Sequence, residues 1–229
     1  MHYYGKSITE QLEKLFKKWI ENQNEEVNNK NENHEGNNYL ERYKGGNLRN
    51  LDLRNSFTRD GIVNEEAWIK GEKILFILKE ANISEQLKDA SEGNVIADNG
   101  KFWFRETIKS NNYDWKKKIF RRLRKIGESW TGNKDFSLES VAYMNINKRG
   151  GLSQAKEDVI DGYFEKYQSL ILEEIKIINP SKIAICCGDQ GYVRKLDELI
   201  KKWDKSIEIK HYNHPSKRWG TDEEYLKGI

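Results

Sequence analysis

Three short segments of this chain carry residues able to do chemistry, and each lies within or just after a strand candidate. Glu80 follows Lys73-Ile74-Leu75-Phe76-Ile77-Leu78, with only Lys79 between. A carboxylate fixed at a strand end can orient water or stabilise positive charge. The same residue also reads as a helix cap or a surface carboxylate. Asn145 and Asn147 alternate within the apolar segment 141–147, so they share one strand face with Tyr143. An asparagine amide offers a donor and an acceptor together, which is what reading a nucleobase edge requires. A turn residue at a strand end is the plainer alternative. His214-Pro215-Ser216 follows the run Ile207 to Tyr212. Histidine can donate to a developing oxyanion, proline stiffens the loop that carries it, and Ser216 can donate to a phosphate. Lys217, Arg218 and Trp219 come next.

The elements that must position these residues are legible from hydrophobic periodicity. Residues 7–21 predict an amphipathic helix: Ser7 and Glu10 form a capping box, and Ile8, Leu12, Leu15, Phe16 and Trp19 keep helical spacing. Residues 22–38 are mostly Asn and Glu and read as a flexible linker or mobile loop. Strands are expected at 73–78, 141–147, 182–187 and 207–212, the first and third of them as buried apolar runs. Helices are expected at 102–110, 115–126, 153–178 and 189–202, with Pro180 stopping the third of these. The fold class is therefore α/β, a three-layer α/β/α domain around a mainly parallel four-stranded sheet, with an N-terminal helical extension. The division expected is 1–45 for the helix and linker and 46–229 for the main domain. Such sheets bind ligands beyond the carboxyl ends of their strands, which nominates Glu80, Asn145, Asn147, Asp189 and His214.

Composition narrows the function classes. At 229 residues the chain can bury a full core, although 34% of it is charged and its mean hydropathy is −0.92. No apolar stretch approaches about 20 residues, and the N-terminus has no signal-peptide pattern, so a cytoplasmic protein without membrane partners is expected. The two cysteines, Cys186 and Cys187, are adjacent and sit in an apolar strand. They exclude a disulfide framework, a four-cysteine zinc site and an all-cysteine iron–sulfur cluster. Gly-rich phosphate loops are absent, and His211 with His214 finds no partner cluster for a metal. No metal or cofactor is expected. The net charge is only +3, but basic residues gather at 116–125 and again across 201–218. Each cluster reads either as a solvated face or as a set of phosphate contacts.

Taken together, the segments resemble the uracil-DNA glycosylase-like superfamily over roughly residues 57–220. Ile77-Leu78-Lys79-Glu80-Ala81-Asn82 resembles its first motif, and Tyr143-Met144-Asn145-Ile146-Asn147-Lys148 its middle strand. The segment from Asn179-Pro180 to Gly188 resembles its helix, proline, strand and glycine unit, and His214-Pro215-Ser216 its last loop. The resemblance implies a monofunctional DNA glycosylase. It would flip a pyrimidine nucleotide from the duplex and hydrolyse the N-glycosidic bond, leaving an abasic site. It implies Glu80 and His214 as catalytic residues. Asn145, Phe102, Asn82 and Asn147 would hold the substrate. Phe102 would stack on the base, with Trp103 and Phe104 as competitors. Ser216, Lys217 and Arg218 would contact DNA, Arg218 by filling the vacated stack. The partner implied is DNA, and the protein is expected to be a monomer.

The chain departs from the family pattern at Lys79, in place of the first motif's glycine, and at Asn82, in place of its proline. In the familiar uracil enzymes a tyrosine after the first motif blocks substituents at the pyrimidine 5-position, and nothing obvious replaces it here. The expectation is a roomier pocket for a 5-substituted pyrimidine, such as a hypermodified phage cytosine, and hence a role in antiviral defence. Plain uracil repair, a catalytically silent nucleic-acid-binding module of the same fold, and an unrelated α/β enzyme with a strand-end site are the alternatives.

Overall fold

The computed structural model describes residues 6–29, 39–97, 102–110, 117–217 and 220–229. It has a three-layer α/β/α architecture around a mixed, mostly parallel sheet, preceded by an N-terminal helix. The chain divides into two compact units. The first comprises Met1–Arg59, Glu80–Lys101 and Asn145–Ile177, and the second Asp60–Lys79, Phe102–Met144 and Ile178–Ile229.

The strands of the sheet are β1 (Gly61–Ile62), β2 (Ile74–Asn82), β3 (Ala142–Gly151), β4 (Lys182–Ile185) and β5 (Glu208–His211), in the order β1-β3-β2-β4-β5, and the second unit holds all of β1, β4 and β5 with the first residues of β2 and β3. The sheet thus has five strands rather than the four expected. The extra one, β1, is a two-residue antiparallel edge with Gly61 opposite Tyr143, too short to leave a periodic signal. β4 pairs in parallel with β2, Phe76 facing Ala184, and with β5, Ala184 facing Lys210. Residues 74–78 of β2 are all buried, as a strand covered on both faces requires. Ile74, Phe76 and Leu78 point to one side and join a core with Phe104, Leu123 and Cys186.

The helices of the second unit are α2 (Glu65–Lys70), α4 (Trp103–Lys109), α5 (Lys118–Thr131), α7 (Gly191–Trp203) and α8 (Asp222–Leu226). On α5, Phe120, Leu123 and Ile126 form the buried stripe, and Gly132 ends the helix in the left-handed conformation that suits glycine.

β2 and β3 both end in the first unit, with α1 (Ile8–Asn28), α3 (Ser84–Leu87) and nearly all of α6 (Glu157–Ile178). α1 starts with the expected capping box and buries Leu12, Leu15, Phe16, Trp19 and Gln23 on one face. Trp19 packs edge-on to Phe57 and stacks on Tyr163 of α6. The helix runs on through 22–28, a stretch expected to be linker. Its polar residues there are partners of buried groups: Gln23 bonds Ser56 O and Tyr163 Oη, and Glu26 pairs with Arg149. The remainder of that stretch, 30–38, lies outside the described residues. α6 ends before Asn179, which takes φ +53° and hands the chain to Pro180.

β3 outlasts its expected end at Asn147 and is buried along its whole length, including Asn145, Asn147, Lys148 and Arg149. Buried charge needs a partner. Lys148 meets Glu174 of α6 at 2.8 Å, and Arg149 meets Glu26 of α1 at 2.9 Å and Tyr39 Oη at 2.7 Å.

Candidate functional site

Within the first unit, Glu80 stands near the end of β2, half-buried. Its Oε2 accepts from Asn147 Nδ2 at 2.8 Å. The carboxyl lies directly on Gly151, where any Cβ would overlap it. The second amide hydrogen of Asn147 goes to Tyr43 Oη at 2.7 Å, and its Oδ1 accepts from Arg149 N at 3.1 Å. Both amide hydrogens of Asn147 are therefore spent inside the protein, and no donor remains for a base edge. Asn145 is buried two residues earlier on the same strand face. Asn82 is exposed, and its Oδ1 accepts from Ser84 N at 3.0 Å and Ser84 Oγ at 2.6 Å. That bonding is an Asx turn starting α3.

Within the second unit, His214 follows β5. Burial and the charge of Lys79 pull its pKa down to about 4, so the imidazole is neutral at pH 7. Ser216 N donates to Nδ1 at 3.3 Å, which leaves the ring proton on Nε2. Ser216 is exposed, and Lys217 Nζ donates to Asn213 Oδ1 at 3.1 Å. Arg218 lies outside the described residues. Phe102 caps α4, with the Arg105 guanidinium 4.0 Å above its ring. Of its neighbours, Phe104 is a core residue, parallel to Tyr143 at 4.2 Å, while Trp103 is 46% exposed. Cys186 and Cys187 are fully buried, and burial pushes the Cys186 thiol up to about 12, so it stays protonated.

Sequence reasoning missed the residues that hold these groups. Arg122, from the basic 116–125 cluster, is wholly buried and donates to the carbonyls of Pro215, Lys217 and Gly220 at 2.9–3.1 Å. Arg121, Arg122 and Lys125 all converge on Asp222, and the bond from Arg121 leads in holding that carboxyl well below the usual range. Part of the cluster is therefore spent inside the protein. A clue was present: Arg122 stands four residues before Ile126, on the buried stripe of α5. Tyr43 and Glu26 gave no comparable signal.

The depressed pKa of His214 makes a prediction. The unfolded imidazole takes a proton near pH 6.5 and the folded one near 4. Stability is therefore complete above pH 6.5 and is lost as pH falls toward 4, by on the order of 2–3 kcal/mol. Asp222 contributes its own loss only below its ordinary value of 3.8. Denaturant unfolding at pH 7 and pH 4.5 should show this slope in the wild type and a clearly flatter one in His214→Gln. Equal slopes would remove His214 as its source.

Among the described residues, no group of three or more His, Cys, Asp or Glu could hold a metal ion. No described helix is long and apolar enough to cross a membrane. Comparison with known proteins gives no match to a family model, a curated protein or a solved structure.

Proposed function

We propose that this protein is a DNA glycosylase that hydrolyses the N-glycosidic bond of a flipped pyrimidine nucleotide. The observation that carries the reading is the state of His214, a neutral imidazole with its proton on Nε2, in a loop just beyond a sheet strand. A neutral N–H donor stabilises an oxyanion without first having to lose charge. In the reaction the bond from C1′ to the base nitrogen breaks and its electron pair leaves with the pyrimidine. His214 hydrogen-bonds the carbonyl oxygen on which that charge accumulates. The Glu80 carboxylate stabilises the oxocarbenium-like sugar and orients water, whose oxygen bonds to C1′. The proton released by that water balances the anionic base. Asn145 reads the base edge and Phe102 stacks on it. Ser216, Lys217 and Arg218 contact phosphate and the vacated stack. Asn147 and Asn82, already engaged within the protein, support the site instead of touching the base.

The substrate proposed is a 5-substituted pyrimidine, such as a hypermodified phage cytosine, because no tyrosine follows Glu80-Ala81-Asn82 to block the 5-position. An antiviral role in the cytoplasm would follow from that substrate.

The test is incubation with duplexes carrying uracil, 5-hydroxymethylcytosine or glucosylated cytosine, followed by alkali to cleave at abasic sites. Base release from the modified duplex is expected to exceed release from the uracil duplex. His214→Asn should slow it about 10²–10³-fold and Glu80→Gln about 10²–10⁴-fold, with folding intact. Efficient excision of uracil alone would replace the substrate. Full activity in both variants would remove the assigned residues. No release from any duplex would overturn the glycosylase reading.

A further inference from the structure

The Glu80 carboxylate sits at the end of a chain of hydrogen bonds that begins in the N-terminal segment. Tyr43 belongs to a 3-10 turn at Tyr39–Lys44 and is 1% exposed. Its Oη accepts one amide hydrogen of Asn147 at 2.7 Å, while the other goes to Glu80 Oε2 at 2.8 Å. The amide can face only one way. Its NH₂ side meets three oxygens, those of Tyr43 and Glu80 and, at 3.4 Å, the Gly150 carbonyl, and its Oδ1 meets the Arg149 N–H at 3.1 Å. Turned over, it would set oxygen against oxygen at Glu80 and Tyr43 and nitrogen against an N–H donor at Arg149. Arg149 is itself held by Glu26 of α1 at 2.9 Å. On its other side the carboxyl rests on Gly151, which leaves no room for a Cβ.

We propose that Tyr43 and Asn147 are positioning residues that fix the Glu80 carboxylate for its work on water. This rests on the glycosylase reading and adds the N-terminal segment to the site. Without its hydroxyl, residue 43 offers no acceptor. The buried Asn147 donor then turns toward the Gly150 carbonyl, which lies 3.4 Å away, and takes its bond to Glu80 with it. A carboxylate misplaced by a fraction of an ångström costs turnover and leaves binding alone.

The experiment compares Tyr43→Phe and Gly151→Ala with the wild type by kinetics and by crystal structure. Tyr43→Phe is expected to lower kcat about 10-fold with KM within about twofold. Combined with Glu80→Gln it should add nothing, because it acts through Glu80. Gly151→Ala displaces the carboxyl directly and should lower kcat in the same way with Tyr43 present, so the test holds if Tyr43→Phe does not fold. In the Tyr43→Phe crystal structure the carboxyl should have left its place on Gly151. An undiminished effect of Tyr43→Phe in the Glu80→Gln background, or a carboxyl that stays put, overturns the proposal. A wild type that releases no base from any duplex overturns the glycosylase reading instead, and the crystal structure then decides the positioning role by itself.

Discussion

Replacing Glu174 with alanine is expected to lower the stability of the fold by about 3–5 kcal/mol. Lys148 and Glu174 are both 0% exposed, with Nζ 2.8 Å from the carboxylate. The ammonium also lies 5.8 Å from the Phe16 ring and 5.5 Å from the Trp19 ring. Those rings supply some cation–π attraction, but far less than the cost of an unpaired buried charge. In Glu174→Ala the ammonium must therefore open the packing to reach water or give up its proton. The second route gives the variant a signature: its deficit shrinks as pH rises from 7 toward 10, because only the unfolded chain still binds that proton. Lys148→Met combined with Glu174→Leu removes both charges and fills similar volume. It should return close to wild-type stability, since the desolvation cost and the attraction vanish together. Denaturant unfolding of the three variants decides the point. A loss under 1 kcal/mol in Glu174→Ala would mean that water reaches Lys148.

That pair also marks where sequence reading stops. The strands were legible because a parallel strand buried on both faces is a continuous apolar run, as in Ile74-Leu75-Phe76-Ile77-Leu78 and Ile183-Ala184-Ile185. β3 was legible only to Asn147, because Lys148 and Arg149 look like the end of a strand. Their partners Glu174 and Glu26 lie 26 and 123 residues away, so no local pattern joins them. The same cause hid the last third of α1, whose Asn- and Glu-rich sequence suggests a linker until Gln23 and Glu26 are seen bonded to buried groups. Glu80 and His214 were nominated from position alone, since each closes or follows a strand. Asn147 was recognised for the right chemistry, an amide with donor and acceptor, but its donors turn inward to Tyr43 and Glu80. Which way an amide faces depends on neighbours distant in sequence. Tyr43 and Arg122 escaped for a related reason: each acts through another residue, and only three-dimensional contact identifies such a role.

Arg122→Ala should both destabilise the second unit and loosen the His214 loop. The guanidinium donates to the carbonyls of Pro215, Lys217 and Gly220, bonds Asp222 at 3.2 Å, and lies 4.4 Å over the Tyr225 ring. Tyr225 Oη in turn donates to Asn213 O at 3.0 Å. The loop around His214 is thus tied through carbonyls on both sides of the imidazole. Asp222 keeps Arg121 and Lys125 in the variant, so it is not left uncompensated. The loss falls on the three carbonyls and on the volume vacated beside Tyr225. At about 1–3 kcal/mol for each buried group left unpaired, partly relieved by water, the expected cost is about 3–5 kcal/mol. Arg122→Lys should recover little, because one ammonium cannot span three carbonyls and a carboxylate that a planar fork reaches together. On the proposed glycosylase reading, base release should also fall about 100-fold as His214 loses its fixed place. A readout free of activity accompanies it: Ser216 N–H and Lys217 N–H, which bond His214 Nδ1 and His214 O, should exchange with solvent faster in the variant. Unchanged exchange at both amides, with stability within 1 kcal/mol of wild type, would show that the loop holds His214 without Arg122.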